Sequence, residues 1–237
     1  MSATDESVQL RVLETLSDAV NYNGWLADLT LPYLGDRPLE IGSGLGSFAR
    51  IWLERGVPRI TVSEQEPAGA ATLADEFEGD GRVEVRQVDV LRPPQDLRDF
   101  TSVVALNVLE HIENHVAALT AMRSLVLPGG AVVLIVPAHE WAMSRFDRSI
   151  GHFRRYTTGL LGGAFERAGL EPETVRYVNP AGLIAWLVVM RLLRRAPTNG
   201  ATVRLYDRLV VPLARRADRR VSLPFGQSVL GVARRRD

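Results

Sequence analysis

The strongest constraint in the chain is a short apolar run that leads into three alternate glycines. Residues 39–48 read LEIGSGLGSF, and a helical pattern of apolar side chains follows at once. Alternate glycines let the backbone adopt dihedral angles that are closed to other residues, and they let a ligand approach the main chain closely. A helix that begins at such a turn leaves backbone N–H groups free for a polar ligand. The segment therefore predicts a strand, a turn and a helix that together bind a ligand.

Two common phosphate-binding loops do not fit this turn. A nucleoside triphosphate loop carries Lys after its last glycine, whereas Ser47 follows Gly46 here and the chain has no Lys. A dinucleotide loop has the spacing G-x-G-x-x-G, but this chain has G-x-G-x-G with Glu40 two residues before the first glycine. A carboxylate at that place repels a pyrophosphate and attracts an amine, either directly or through ordered water. The turn therefore favours a ligand with a cationic group.

Strand-like and helix-like patterns alternate from residue 38 onward. Alternation with nearly continuous apolar strands is typical of a parallel sheet covered by helices on both faces. Strands are predicted at 39–41, 60–62, 83–88, 103–106, 132–136, 174–178 and 228–232, with helices at 8–20, 48–55, 68–77, 116–126 and 160–168. We therefore predict an α/β fold with a doubly wound, Rossmann-like sheet and N-terminal helices.

Acidic residues follow the predicted second and third strands. Glu64 ends the second strand, eighteen residues beyond Gly46, where an acid can accept hydrogen bonds from both hydroxyls of a ribose. Asp89 ends the third strand and can accept a hydrogen bond from an adenine amine, while Val90 covers the ring. Asn107 ends the fourth strand at the same edge of the sheet. These residues predict a nucleoside ligand.

Five ordered motifs between residues 39 and 138 resemble those of class I S-adenosylmethionine-dependent methyltransferases. They are LEIGSGLGSF (39–48), TVSEQEP (61–67), VRQVDVL (85–91), ALNVLEHIEN (105–114) and LVLPGGAVVLIVPA (125–138). The resemblance implies an enzyme that binds S-adenosylmethionine. It also implies a seven-stranded sheet with six parallel strands and an antiparallel last strand.

The resemblance also implies which residues contact the cofactor. The acid and the glycines of the first motif would hold the methionine moiety, Glu64 the ribose, and Asp89 with Val90 the adenine. The chain departs from the family at Thr101, where an Asp is usual, and that position is normally structural. The residues predicted to bind the cofactor are Tyr22, Glu40, Gly42, Ser43, Gly44, Gly46, Glu64, Gln65, Asp89, Val90, Asn107 and Val108.

Composition excludes several kinds of chemistry. The chain has no Cys, so disulfides, thiolate zinc sites and thiol nucleophiles are ruled out. Without Lys it cannot form a Schiff base. Its formal net charge is +0, which gives no reason to expect a nucleic-acid partner. We expect a cytoplasmic protein, because the N-terminus lacks a basic region followed by an apolar run, and residues 181–190 are too few to span a bilayer.

The long segment 139–156 is predicted to bind the methyl acceptor. Its pattern, a His followed later by D-x-x-x-G-H-F-R-R-Y, resembles that of a bacterial subgroup of these methyltransferases. His139, His152 and Tyr156 are candidates for removing a proton from the acceptor. Arg154 and Arg155 are candidates for clamping a carboxylate or phosphate. The alternative is that these side chains only tie the loop down through hydrogen bonds.

Other candidates also have structural alternatives. His111 could contact the substrate, or it could pack or cap the helix that follows the fourth strand. Tyr22 and Trp25 could close over the cofactor as a lid, in which case Trp25 would contact the substrate. Alternatively, both could be core aromatic residues of an N-terminal helix pair.

Potential metal ligands lie near the end of the predicted fourth strand. Glu110, His111, Glu113 and His115 lie close in sequence and offer carboxylate and imidazole ligands. Because they are expected to point to different faces of a turn and a helix, no metal is predicted.

Three regions are predicted along the chain. Residues 1–37 form an N-terminal helical lid, and residues 38–178 with 225–237 form the S-adenosylmethionine-binding core. Residues 179–224 form a helical insertion before the last strand, with an apolar helix at 180–195 and an Arg-rich amphipathic helix at 202–220. The insertion could be a cap over the substrate, the face of a homodimer, or a membrane-surface patch through residues 181–220.

The predicted function is methyl transfer to an oxygen or nitrogen of a small metabolite, anionic or with an apolar part. A second hypothesis keeps the cofactor but attacks another carbon next to its sulfur, in aminocarboxypropyl transfer or cyclisation. A third is a cofactor-binding partner protein without methyl transfer.

Overall fold

The computed structural model describes residues 19–188, 200–218 and 223–236. The strands in this part of the chain are β1 (Pro38–Ile41), β2 (Ile60–Glu64), β3 (Val83–Gln87), β4 (Phe100–Leu106), β5 (Val126–Pro137), β6 (Leu170–Val178) and β7 (Ser228–Arg235). The α-helices are α1 (Val20–Thr30), α2 (Ser47–Glu54), α3 (Pro67–Glu76), α4 (His115–Leu125), α5 (Arg145–Ser149), α6 (Thr158–Arg167), α7 (Pro180–Leu187), α8 (Gly200–Leu209) and α9 (Val211–Asp218). Short 3₁₀ turns occupy Leu31–Tyr33, Leu109–His111 and Glu140–Ala142.

The strands form one seven-stranded sheet in the order β3-β2-β1-β4-β5-β7-β6. Neighbouring strands from β3 to β5 pair in parallel, whereas β7 runs antiparallel to both β5 and β6. The predicted Rossmann-like sheet with an antiparallel last strand is therefore confirmed. In such a sheet the strand order reverses next to β1, and ligands bind at the carboxyl ends of the strands there.

Strands β5 and β6 begin well before their predicted ranges. β5 begins at Val126 rather than at residue 132, because Val126 already pairs with Phe100 across a register shift. β6 begins at Leu170 and has a register shift between Pro172 and Thr174. The added residues include prolines, glycines and acidic residues that interrupt the apolar pattern: Pro128, Gly129 and Gly130 in β5, and Glu171, Pro172 and Glu173 in β6.

The central strands are buried on both faces, which explains their continuous apolar sequences. Successive residues Val103 and Val104 of β4 belong to two different core clusters, because side chains alternate across a strand. On one side the core includes Leu119 of α4 and Phe165 of α6. On the other side it includes Trp52 of α2, whose indole N–H donates to the Ala27 carbonyl and the Thr30 hydroxyl.

Helix α1 is joined to the insertion by a buried carboxylate. Asp207 of α8 accepts hydrogen bonds from the backbone N–H groups of Asn21 at 3.0 Å and Tyr22 at 2.8 Å. A negative charge at this end of α1 complements the helix dipole. Trp25 packs beside Val211 and Ala214 of α9. The N-terminal helix and the insertion therefore pack against each other.

Predictions for the insertion are met only in part. The helix predicted at 202–220 is two helices, because Pro212 has no N–H to continue a single helix through residues 210–211. The helix predicted at 180–195 is described as far as Leu187, and residues 189–199 lie outside the described residues, as does most of the helix predicted at 8–20. Among the described helices none has the length and hydropathy needed to cross a membrane. The division into lid, core and cap, the homodimer and the membrane-surface patch stay predictions.

Candidate functional site

The glycine turn after β1 requires glycine for two independent reasons. Gly42, Gly44 and Gly46 have φ values of 70°, 58° and 72°, in the left-handed region that L side chains rarely adopt. A Cβ on Gly42 would lie 2.7 Å from Val108 Cγ2, and one on Gly46 would lie 2.5 Å from Phe77 Cε2. The turn is therefore packed tightly against the segment after β4 and the end of α3, with helix α2 beginning at Ser47.

Glu40 places a buried carboxylate directly beneath this turn. The residue is 2% exposed, and its Oε2 has no hydrogen-bond partner in the described part of the chain. Burial raises the pKa of Glu40 to about 8, opposed by a hydrogen bond with Ser43 and reinforced by the nearby charge of Glu64. The Glu40 carbonyl accepts a hydrogen bond from the Ser63 hydroxyl at 2.7 Å, which fixes the backbone here. A buried carboxylate without a partner is suited to a cationic ligand.

Glu64 lies at the end of β2 and contacts the same turn. Its Oε1 accepts a hydrogen bond from the Gly44 N–H at 2.5 Å. Burial raises the pKa of Glu64, while hydrogen bonds from the Gly44 and Gln65 backbones oppose the shift. Gln65 itself is exposed, and its carbonyl accepts from the Gln87 amide. The structure therefore brings the Glu64 carboxylate next to the glycine turn, as its predicted position requires.

The other predicted cofactor residues follow β3 and β4 at the same edge of the sheet. Asp89 Oδ1 accepts from the Leu91 N–H at 2.9 Å, and Val90 is buried in the core. Asn107 has a φ of 55° and an exposed side chain, and its N–H donates to Ile135. A positive φ in a residue other than glycine is uncommon and is found at functional sites.

Tyr22 and Trp25 are placed differently from their predicted roles. Burial raises the pKa of Tyr22, against hydrogen bonds with Ser228 and Asn179 that tie its hydroxyl to the end of the sheet. Trp25 is fully buried beside Val211. This packing favours the alternative of core aromatic residues over a mobile lid and a substrate contact.

Asp147 organises the loop that follows β5. The residue is 1% exposed and accepts hydrogen bonds from the Ser144 N–H at 2.6 Å, the Ser144 hydroxyl at 2.7 Å and Arg155 Nη2 at 2.7 Å. His152 Nδ1 lies 3.2 Å from its Oδ1. Burial alone would raise the pKa of Asp147, but His152, Arg155 and Ser144 together hold that pKa well below its usual range. The loop is therefore folded around one ionised carboxylate.

The two predicted anion-binding arginines are used within the protein. Arg154 donates to the carbonyls of Ile112 at 2.5 Å and Glu113 at 2.6 Å. Arg155 is buried, donates to the Ala138 carbonyl at 3.2 Å and pairs with Asp147. These contacts favour the alternative that both side chains tie the loop down, rather than clamp an anion.

Tyr156 is also placed as a structural residue. It is fully buried, its backbone N–H donates to Pro137 at 2.8 Å, and its hydroxyl lies 3.0 Å from His115 Nδ1. Burial keeps the pKa of Tyr156 well above its usual value. A phenol that is buried and hard to ionise is a poor proton acceptor, so the structure does not favour its predicted role as a base.

His139 is the predicted base whose surroundings best suit that role. It follows β5 directly with a φ of 64°, and its buried Nε2 has no hydrogen-bond partner in the described residues. The ring stacks on Tyr177 with centroids 4.7 Å apart and also lies against Trp141. Burial, and then the charge of Arg155, lowers the pKa of His139, so the ring is neutral at physiological pH.

The loop also brings His152 to Glu110 and His111, in the 3₁₀ turn after β4. The His111 and His152 rings meet edge to face with centroids 4.5 Å apart, and His152 Nε2 lies 3.9 Å from Glu110 Oε1. Glu113 is exposed and His115 is bonded to Tyr156, so these two lie outside the cluster. Sequence reasoning considered Glu110 only with its neighbours, because no local pattern shows that a residue 42 positions later folds back onto it.

A family model for a methyltransferase domain matches residues 10–175. The chain belongs to this methyltransferase family. It is therefore an enzyme of the class that transfers a methyl group from S-adenosylmethionine. The finer assignment to a subgroup with a GHFRRY-like loop stays a prediction.

Curated relatives and solved structures agree with this membership. The chain is 28% identical over 174 residues to a ubiquinone biosynthesis O-methyltransferase of Dechloromonas aromatica, covering 71% of this chain and 68% of the relative. It is 26% identical over 155 residues to the protein of the same name in Pseudomonas aeruginosa strain LESB58, covering 60% and 67%.

Two solved structures share the fold. A geranyl diphosphate C-methyltransferase from Streptomyces coelicolor has a TM-score of 0.60 at 17% identity, covering 89% of this methyltransferase and 76% of that chain. The cyclase SpnF has a TM-score of 0.61 at 20% identity, covering 90% and 81%.

We expect Asp147→Asn to destabilise the methyltransferase by about 3 kcal/mol at neutral pH, because it leaves the Arg155 cation buried without its counter-charge. The folded-state pKa of Asp147 lies below its unfolded value of about 3.9. The carboxylate therefore contributes stability above that value, and the contribution is lost as the pH falls toward the folded pKa. Urea unfolding between pH 7 and 3 measures both effects.

The matched control is Asp80→Asn, which breaks an exposed pair with Arg82 and should change stability little. Equal stability of Asp147→Asn and the wild-type protein at pH 7 would contradict the assignment of Asp147 as the anchor of the loop.

Proposed function

We propose that this methyltransferase methylates a hydroxyl oxygen of a small, partly apolar acceptor, with His139 as the base. The observation that carries the proposal is the buried Nε2 of His139, which has no partner in the described residues and directly follows β5. Methyl transfer to a neutral amine needs little proton removal beforehand, whereas a hydroxyl gains most from a base. The curated relatives are named as O-methyltransferases, which is consistent with this choice.

The residues at the glycine turn fit S-adenosylmethionine. When bound, this cofactor supplies an activated methyl group on a sulfonium, and its amino acid part carries an ammonium. We assign Glu40 to that ammonium, because its buried carboxylate has an unpartnered oxygen. Glu64 is assigned to the ribose, because the hydrogen bond from the Gly44 N–H orients its carboxylate and leaves other lone pairs to accept hydrogen bonds from the ribose hydroxyls. Asp89 and Val90 are assigned to the adenine.

The surroundings of His139 favour an acceptor with a flat apolar part. Its ring stacks on Tyr177 at an interplanar angle of 17°, and Trp141 lies beside it while remaining 53% exposed. Aromatic faces of this kind bind planar apolar groups. The backbone of His139 has a positive φ, a conformation that persists only where surrounding contacts maintain it. Here the His139 N–H donates a hydrogen bond to the Tyr156 carbonyl at 2.7 Å.

We expect Glu64→Gln to weaken the binding of S-adenosylmethionine at least tenfold, because charge-assisted hydrogen bonds contribute about 1.5–3 kcal/mol each. The variant keeps the size of the side chain. Isothermal titration calorimetry of the full chain measures the affinity, and Glu66→Gln, which changes an exposed neighbour, is the control. Unchanged affinity in Glu64→Gln would remove the ribose assignment.

We expect the sulfur product of the reaction to be S-adenosylhomocysteine. A panel of small aromatic and aliphatic acceptors, each offered with a hydroxyl or an amine, would be analysed by mass spectrometry of both products. Methylthioadenosine instead would show attack on another carbon next to sulfur and would overturn the proposal. Tight cofactor binding with no product from any acceptor would favour the hypothesis of a protein without methyl transfer.

We expect His139→Gln to lower turnover by 10²-fold or more while leaving the affinity for S-adenosylmethionine within twofold, since removal of a general base costs about 10²–10⁴ in rate. The same product assay measures turnover, and calorimetry measures affinity. The control is His115→Gln, a change at a half-buried histidine that contacts Tyr156 instead. A His139→Gln variant with full turnover would end the assignment of His139 as base.

A further inference from the structure

Glu110, His111 and His152 form a cluster that the proposed methyl transfer does not use. Each offers one ligand atom, a carboxylate oxygen or an imidazole nitrogen, and these atoms lie within 4.8 Å of one another. Two residues come from the 3₁₀ turn after β4 and the third from the loop after β5. We propose that this cluster binds one divalent transition-metal ion, which in turn holds the acceptor's hydroxyl oxygen.

The carboxylate of Glu110 is the first reason for this assignment. The residue is 0% exposed, and neither of its carboxylate oxygens accepts a hydrogen bond from another residue in the described part of the chain. His152 Nε2 is the nearest imidazole nitrogen, and at 3.9 Å from Oε1 it is too far for a hydrogen bond. A buried carboxylate pays a large desolvation penalty unless a cation or hydrogen bonds satisfy it. A divalent ion between Glu110 and His152 would satisfy it.

The polar groups that lie behind the two histidines are the second reason. His152 presents Nε2 to the cluster while its Nδ1 lies 3.2 Å from Asp147 Oδ1. His111 has a hydrogen bond to the backbone of Ile150. Metal-ligating histidines almost always use the second nitrogen in this way, on a carboxylate or a carbonyl, because the bond fixes the ring and its tautomer. Both rings are therefore oriented from behind, as in metal sites.

The donor set indicates the kind of ion. Two imidazoles and one carboxylate suit Zn²⁺, Fe²⁺, Co²⁺ or Mn²⁺, and not an ion that requires oxygen ligands only. Zinc sits about 2.1 Å from such ligands, so ligand atoms in a tetrahedral site are about 3.4 Å apart. Small side-chain rotations would bring the three atoms to that spacing. Three protein ligands leave coordination positions open, which is typical of catalytic rather than structural sites.

The position of the cluster relates it to the acceptor. Val108 packs on Gly42 of the glycine turn, and Glu110 and His111 come two and three residues later. The site therefore lies near the edge of the sheet where S-adenosylmethionine is proposed to bind. An open coordination position there can hold the acceptor hydroxyl and favour loss of its proton. The oxygen then forms the bond to the methyl carbon as the carbon–sulfur bond breaks. This part of the inference rests on the proposed function, whereas metal binding does not.

The test titrates the full chain with metal alone. The protein is prepared without a polyhistidine tag and treated with a chelator. It is then titrated with Co²⁺, followed by visible absorption, and with Zn²⁺, followed by calorimetry. We expect one equivalent to bind, with Co²⁺ bands typical of nitrogen and oxygen ligands. Glu110→Gln and His152→Gln should each weaken binding at least tenfold. The control His115→Gln changes a nearby histidine outside the cluster and should bind as the wild-type protein does.

Thermal unfolding provides a second measurement, because an ion that binds only the folded chain raises its midpoint. We expect Zn²⁺ to raise the midpoint of the wild-type protein and of His115→Gln, but not that of the two cluster variants. No binding to the wild-type protein, or equal binding in all four proteins, would overturn the metal site.

A separate measurement tests whether the bound metal takes part in catalysis. We expect chelation to reduce turnover at least tenfold and added Zn²⁺ or Mn²⁺ to restore it. If the cluster binds metal but chelation leaves turnover unchanged, the link to the acceptor is overturned. If methyl transfer to oxygen is not found at all, the titrations with metal alone still decide whether the ion binds.

Discussion

The burial of carboxylates near one edge of the sheet is the constraint on which the site depends. Glu40, Glu110 and Asp147 are all at most 2% exposed, yet they differ in their partners. Asp147 is ionised and bonded to Ser144 and Arg155, and it therefore holds the loop. Glu40 and Glu110 have oxygens without partners, and burial raises the pKa of each to about 8. The paired carboxylate stabilises the fold, and the two others are available to ligands.

The sequence predicted the part of the site that depends on local patterns. The glycine turn, Glu40 and Glu64 follow strands whose apolar runs are unmistakable, and parallel strands bring their carboxyl ends to one edge. The fold followed from the same runs. The prediction missed the first residues of β5 and β6, because glycine, proline and acidic residues interrupt the apolar pattern there, whereas pairing with a neighbouring strand keeps the chain extended.

The acceptor side could not be predicted in the same way, because its contacts link distant segments. The sequence pattern GHFRRY offered four side chains that look reactive, but Arg154 is bonded to the carbonyls of Ile112 and Glu113, and Tyr156 is buried beside His115. A pattern shows which chemical groups are present, while their partners decide which are used. Only the fold shows that His152 reaches Glu110.

The two proposals on the acceptor side are linked through the strength of the base. Burial lowers the pKa of His139 below its usual value of about 6.5, whereas a phenol such as Tyr ionises near about 10. Proton transfer from a free phenol to this histidine would therefore be uphill by about 5 kcal/mol. Coordination to a divalent ion removes much of that gap, since zinc lowers the pKa of its bound water from about 15.7 to about 7. The proposed base at His139 and the proposed metal at Glu110 are thus complementary, because the metal would lower the pKa of the acceptor hydroxyl and His139 would accept its proton.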